Sequence, residues 1–121
     1  MKLLNLSPML YTVNLEESVA FYTSKLGFTA GGQSVEDGWA SLFKDEVEIM
    51  FSLPNAHLPF KEPVFTGSFY FRTDNVDELW NKLRDDVKVV YELENFDYGM
   101  REFAIYDNNG YILQFGENIE V

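Results

Sequence analysis

The sequence predicts an α+β fold: two tandem βαβββ modules whose curved mixed sheets form a cup. Three observations lead there. Two short amphipathic helices open with the same capping pattern, each has one strand-like segment before it and three after it, and corresponding positions lie roughly 60 residues apart. A duplicated supersecondary unit explains all three, whereas a solenoid would show at least three repeats. At 121 residues the chain suffices for one compact domain. Its expected organisation is a first module over about 1–53, a second over about 67–121, and a Pro-containing connector over 54–66.

The first strand is expected near Leu4–Val13, with Pro8 inside it. A proline lacks the N–H a central strand needs, so Pro8 marks an edge, either as a simple edge residue or as a hinge for an N-terminal arm. Asn14 then stands at an N-cap with Glu17 three residues on, and Leu15, Val19, Tyr22 and Leu26 form one helical stripe closed by Gly27. Strands follow at Phe28–Ser34, Trp39–Phe43 and Val47–Leu53. The second half repeats the plan, with a strand at Ser68–Thr73 and a helix capped by Asn75 and Glu78 whose stripe is Val76, Leu79, Trp80 and Leu83. Its last strands are Val87–Glu92, Arg101–Tyr106 and Tyr111–Gly116, the final two joined by Asn108, Asn109 and Gly110, a strong hairpin signal.

Composition removes whole classes of chemistry. With no Cys there is no disulfide, thiolate nucleophile or thiolate metal site. His57 is the single histidine, in the connector, and reads as a surface residue and not a base. Twenty acidic residues against nine basic ones give a net charge of −11, which disfavours nucleic acid and anionic lipid surfaces. The same acidity can attract a cationic ligand or simply keep the surface solvated. No apolar run reaches the length of a membrane span and the start carries no signal-peptide core, so a cytoplasmic protein is expected.

Strand alternation assigns faces. Val47, Ile49, Phe51 and Leu53 oppose Glu48, Met50 and Ser52; Phe69 and Phe71 oppose Ser68, Tyr70 and Arg72; Leu113 and Phe115 oppose Ile112, Gln114 and Gly116. One helix covers one oily face of each sheet, so the mixed faces are where a ligand cleft is expected.

ESVAFYTSKLGF (Glu17–Phe28), DNVDELWNKLR (Asp74–Arg84) and YGMREFAIYDNNGYILQFGE (Tyr98–Glu117) together resemble the vicinal oxygen chelate superfamily. That group contains glyoxalase I, extradiol dioxygenases, and fosfomycin and bleomycin resistance proteins, and this chain is closest in flavour to bleomycin resistance proteins. The resemblance covers nearly the whole chain. Enzymatic members hold a divalent metal on the first, fourth, fifth and last strands, which correspond here to Ser7, Met50, Ser68 and Gln114. Only Gln114 is a ligand type, and one amide with two hydroxyls and a thioether does not outcompete water. The expectation is therefore no metal, no cofactor and no catalytic residue.

What the resemblance then implies is sequestration, the basis of antibiotic resistance in that family. A homodimer would hold an aromatic, cationic molecule of the bleomycin kind in a cleft near the subunit interface. Two alternatives stand beside it: a metal-dependent glyoxalase-like lyase, isomerase or dioxygenase using Glu48, Gln114 and Glu102, and a filled cup serving only as an interaction partner.

The candidate ligand-binding residues are Ser7, Trp39, Glu48, Met50, Ser68, Tyr70, Phe96, Tyr98, Arg101, Glu102 and Gln114. Trp39 follows an exposed turn and serves either the cleft or interface, or the core. Trp80, on the helical stripe, reads as core. Glu48 and Glu102 are either solvated surface groups or cleft carboxylates that pair a ligand cation, Arg72 or Arg101. Arg101 can instead bind an anion. Phe96 and Tyr98 lie in a segment read as a loop beside Gly99, as either a lid or aromatic plugs.

Overall fold

The computed structural model describes residues 1–34, 36–55, 59–65 and 67–120, with residues 32–34 described for their backbone alone. His57 lies outside the described residues. The chain forms two compact units, Met1–Glu62 and Pro63–Val121, and the division falls inside the expected connector.

In the first unit the order is β1 (Met9–Tyr11), α1 (Leu15–Ala20), a π-helical segment (Phe21–Lys25), β2 (Thr29–Ser34), β3 (Trp39–Lys44) and β4 (Val47–Ser52). The second runs β5 (Phe69–Arg72), α2 (Val76–Leu83), β6 (Lys88–Phe96), β7 (Met100–Tyr106) and β8 (Ile112–Asn118). Each unit carries one four-stranded mixed sheet, ordered β1-β4-β3-β2 and β5-β8-β7-β6. The first strand of each pairs in parallel with the last, and the remaining pairs are antiparallel. This is the α+β architecture of two tandem βαβββ modules.

The capping pattern operates in both helices. Asn14 Oδ1 accepts from the Glu17 N–H (3.0 Å) and Asn75 Oδ1 from the Glu78 N–H (3.2 Å), with each glutamate returning to the asparagine amide. α1 packs on β3 and β4, and α2 on β7 and β8. Under α1, the fully buried Tyr22 ring meets Phe51 edge-on at 5.1 Å and Phe28 at 5.5 Å. Under α2, rings run in line from Trp80 to Phe103 (5.1 Å), Phe115 (5.2 Å) and Phe71 (5.0 Å).

Four boundaries depart from the sequence reading, each for a local reason. β1 covers only Met9–Tyr11 because Pro8 cannot donate; its carbonyl still accepts from Met50 N–H (2.9 Å), and Leu3, Leu4 and Leu6 before it are exposed. The first helix turns from α to π at Phe21, where the Thr23 hydroxyl donates back to the Val19 carbonyl (2.8 Å), so Leu15, Ser18, Tyr22 and Leu26 form the buried stripe. β6 continues to Phe96, which pairs with Met100 across a turn at Asp97–Gly99, so Phe96 belongs to a strand and not to a loop. Between β7 and β8, Asp107 Oδ1 accepts from the Asn109, Gly110 and Tyr111 N–H groups at 2.8–2.9 Å, a wider turn than a two-residue Asn-Gly hairpin.

Among the described residues no helix is long and apolar enough to cross a membrane. Phe103 sits in the middle of the four-ring line with no exposed surface. Phe103→Ala is expected to lower the unfolding free energy by about 3–5 kcal/mol in denaturant titration; a loss under about 1 kcal/mol would show that the rings are not a packed unit.

Candidate functional site

The residues on the face opposite each helix were expected to carry function, and each face holds a polar cluster centred on one glutamate. In the first unit, Glu48 on β4 accepts hydrogen bonds from the hydroxyls of Ser7 and Ser41, one at each carboxylate oxygen. The Ser41 hydroxyl, and then that of Ser7, hold the Glu48 carboxyl below the usual carboxylate range. Met50 pairs with Ser41 and Trp39 with Ser52, so both share this face, and each is half-buried.

The second unit has a deeper arrangement. Glu102 on β7 is fully buried, and its partners are hydroxyl groups and an amide. Tyr70 Oη donates to Oε1 at 2.8 Å, and Tyr91 Oη donates to Oε2. Gln114 Nε2 donates to Tyr91 Oη at 2.9 Å and lies 3.5 Å from Glu102 Oε2, while the Ser68 hydroxyl donates to Gln114 Oε1. A directed chain of donors therefore runs from Ser68 through Gln114 and Tyr91 into the carboxylate. Gly116, directly across from Glu102 in the sheet, makes room for Tyr70: a Cβ there would overlap the Tyr70 hydroxyl.

The phenols feel this environment. Burial first, and then the hydrogen bond to Glu102, push Tyr70 up to about 12. Tyr91 is also pushed up to about 12, again mainly by burial, with the hydrogen bond from Gln114 opposing and Glu102 reinforcing. Tyr98 is raised too, by desolvation and then by the neighbouring Glu102 carboxylate, although 58% of the residue is exposed. Aromatic contacts extend the cluster outward: Tyr91 meets Phe96 edge-on at 5.6 Å and Phe96 stacks on Tyr98 at 5.4 Å. The Arg72 guanidinium lies over the Tyr70 ring, 5.4 Å from its centroid.

Of the candidate residues, Ser7, Trp39, Glu48 and Met50 thus fall on the first face, and Ser68, Tyr70, Glu102 and Gln114 converge on the second, with Phe96 and Tyr98 beside them. Arg101 stands apart. Its guanidinium makes a two-pronged contact with Asp77 of α2 at 2.8–3.2 Å and donates to Asn95 at 3.0 Å, on the helix side of the sheet. The hydrogen bond between them lowers Asp77 and raises Arg101. Arg101 is therefore not the partner of Glu102, and Glu102 is not a solvated surface group.

Sequence reasoning missed Tyr91, and it placed Gly116 on the mixed face without giving it a part in the site. Strict alternation puts Tyr91 on the same side as Val89, which pairs with Ile105 of the core. The register shift between Val89 and Tyr91 is a bulge that sets Tyr91 opposite Ala104 and turns its hydroxyl to Glu102. No residue pattern announces such a bulge.

The donor set at the positions corresponding to a divalent ion does not fit one. Ser7, Met50 and Ser68 offer two hydroxyls and a thioether, and the Gln114 oxygen already accepts from Ser68. Among the described residues no three His, Cys, Asp or Glu side chains are grouped to hold a metal ion.

No curated protein matches the chain. Solved structures share its fold: a protein of unknown function from Agrobacterium tumefaciens str. C58 (TM-score 0.79, 18% identity, covering 98% of this chain and 96% of that one); TioX from Micromonospora sp. ML1 (0.76, 16%, 93% and 97%); and a lactoylglutathione lyase from Agrobacterium tumefaciens (0.75, 20%, 94% and 92%). At these identities the likeness is one of fold. Residues 6–115 match the family model of the Glyoxalase/Bleomycin resistance protein/Dioxygenase superfamily. With that match running from ahead of β1 into β8, the chain belongs to the glyoxalase/bleomycin resistance protein/dioxygenase superfamily.

Proposed function

We propose that this protein binds a small organic cation carrying an aromatic group and releases it unaltered, without a metal, in the manner of the bleomycin resistance proteins of its superfamily. One observation carries the reading: Glu102 is fully buried, and its hydrogen-bond partners are neutral phenols and an amide. Burying a carboxylate costs several kcal/mol unless other groups compensate. Hydroxyl donation offsets part of this cost, and an incoming cation offsets more.

The contact surface for that cation is the phenols. A phenol that donates its proton to a carboxylate carries extra electron density on its oxygen and ring, which strengthens both hydrogen-bond acceptance and cation–π attraction. The protein's own Arg72 over Tyr70 illustrates the preference. Phe96 and Tyr98 add stacking faces for the aromatic part, and the net charge of −11 raises the local concentration of cations. The reading includes a cytoplasmic homodimer with the cleft near its interface; the exposed Leu3, Leu4 and Leu6 ahead of Pro8 support an arm that a second copy covers.

Calorimetry of metal-stripped protein with a bleomycin-type glycopeptide is expected to show association that weakens with salt and falls at least about tenfold, or ~1.4 kcal/mol, in Glu102→Gln. No heat at micromolar protein, or equal affinity in the variant, would overturn it. Elemental analysis is expected to find no stoichiometric Zn, Ni, Mn or Fe; a stoichiometric ion lost on Gln114→Ala would favour the enzymatic alternative instead.

The phenols also set an alkaline limit. Because the folded-state values of Tyr70 and Tyr91 lie near 12, above the ordinary value of 10.0, their contribution to stability is complete below pH 10 and is lost as pH rises toward 12. Unfolding free energy should therefore drop between pH 10 and 12, and less so in a Tyr70→Phe/Tyr91→Phe double variant. Identical pH profiles for both proteins would contradict the assigned environment. Light scattering is expected to give twice the mass of one chain.

A further inference from the structure

The mixed face of the second sheet continues past Glu102 to a separate half-open cavity of mixed polar and apolar lining. Along β8 and β7 the facing pairs are Gly116 with Glu102, Gln114 with Ala104, and Ile112 with Tyr106. At the last of these, Ile112 and Tyr106 meet Val64, Phe65, Gly110 and Tyr111 around a cavity of about 200 Å³. Val64 and Phe65 are about three-quarters exposed there, an arrangement with no evident core role. A closed cavity of about 150 Å³ suffices to hold benzene, so by volume this open one has room for one aromatic ring, with Val64, Phe65 and Ile112 as its apolar contacts.

Each end carries a cation over a tyrosine ring, and the Glu102 end also carries carboxylates; the Arg72 guanidinium lies over Tyr70 there, 5.4 Å from its centroid. Lys88 Nζ lies over the Tyr106 ring, 5.3 Å from its centroid, at the cavity end, whereas Glu94 pairs across from Glu102 at the other. The carboxylates of Glu94 and Glu102 thus make the Glu102 end the more favourable one for an ammonium. From Ile112 to Gly116 is four strand steps, about 14 Å at ~3.4 Å each.

We infer that this cavity is a second subsite that takes the aromatic ring of the guest, so that the site measures the distance between ring and ammonium. The inference rests on the cation-binding reading of the Glu102 cluster and adds to it a ligand class: a flexible amine whose ring lies roughly 14 Å from its nitrogen, the span of the strand segment. Gln114, midway, lies beside the linker.

The test is calorimetry of the full chain with ω-phenylalkylammonium ions from benzylammonium upward, with ω-phenylalkanols and n-alkylammonium ions of equal carbon number as controls. Affinity should jump at the linker length that lets the ring reach the cavity, at least tenfold beyond the matching n-alkylammonium, and beyond the roughly fourfold per methylene of simple apolar burial. Ile112→Trp, which fills the cavity, should remove that jump and leave benzylammonium unchanged. Val64→Trp, at an exposed position, should do the same without disturbing the fold. A jump that survives both variants, or affinity that merely tracks carbon number, would overturn the subsite while Glu102→Gln still reports on the cation reading. A jump shared by the neutral alcohols and abolished by both variants would uphold the cavity and sink the cation reading. No binding by any compound overturns the subsite.

Discussion

A carboxylate can stay inside a protein without a cation only while hydroxyl and amide hydrogens point at it, and the second unit is arranged around that requirement. Glu102 sits where β7 is covered on both faces. Tyr70 reaches it because Gly116 has no side chain, and Tyr91 reaches it because β6 bulges. Gln114 must then orient its amide so that the nitrogen serves Tyr91 and the oxygen takes the Ser68 hydroxyl. Four strands are thereby committed to one charge. Such a network is unforgiving: removing a single donor leaves a buried acceptor short of partners.

The duplicated scaffold shows what is free to vary. Both units use the same asparagine cap, the same parallel pairing of first and last strands, and an aromatic core under the helix. Met50 and Gln114 hold corresponding places on the last strands, opposite Met9 and Tyr70 respectively. The helix-covered faces must be apolar to fold at all, so they diverge little in character. The other faces carry no such duty, and one has become a half-buried glutamate held by two serines while the other has become a buried glutamate held by phenols.

The architecture was legible in the sequence because it depends on periodicity and capping, which are local. Asn14 with Glu17 and Asn75 with Glu78 announce both helices, and alternation through Val47–Leu53 and Ile112–Gly116 assigns the faces correctly. It also put Ser68, Tyr70 and Gln114 on the side where they join the Glu102 network. What alternation misses is where it is broken: the bulge that turns Tyr91, the extension of β6 to Phe96, and the shortening of β1 by Pro8. Arg101 was ambiguous for another reason, since its partner Asp77 is on a different element and nothing in the linear sequence links them. Glu102, likewise, was as readable as a surface residue as a buried one until its three-dimensional partners were known.

The superfamily is known for metal chemistry, yet the donors at the corresponding positions here are serine, methionine and an amide already engaged, which suits recognition better than Lewis-acid catalysis. Recognition of an organic cation by electron-rich phenols backed by a carboxylate is the central claim. Its most direct test is a crystal structure of the protein with a bound phenylalkylammonium ion. The nitrogen is expected within ~6 Å of the ring centroid of Tyr70, Tyr91 or Tyr98, with the Glu102 hydrogen bonds intact. A nitrogen bound at Glu48, or anywhere away from those rings, would contradict the claim.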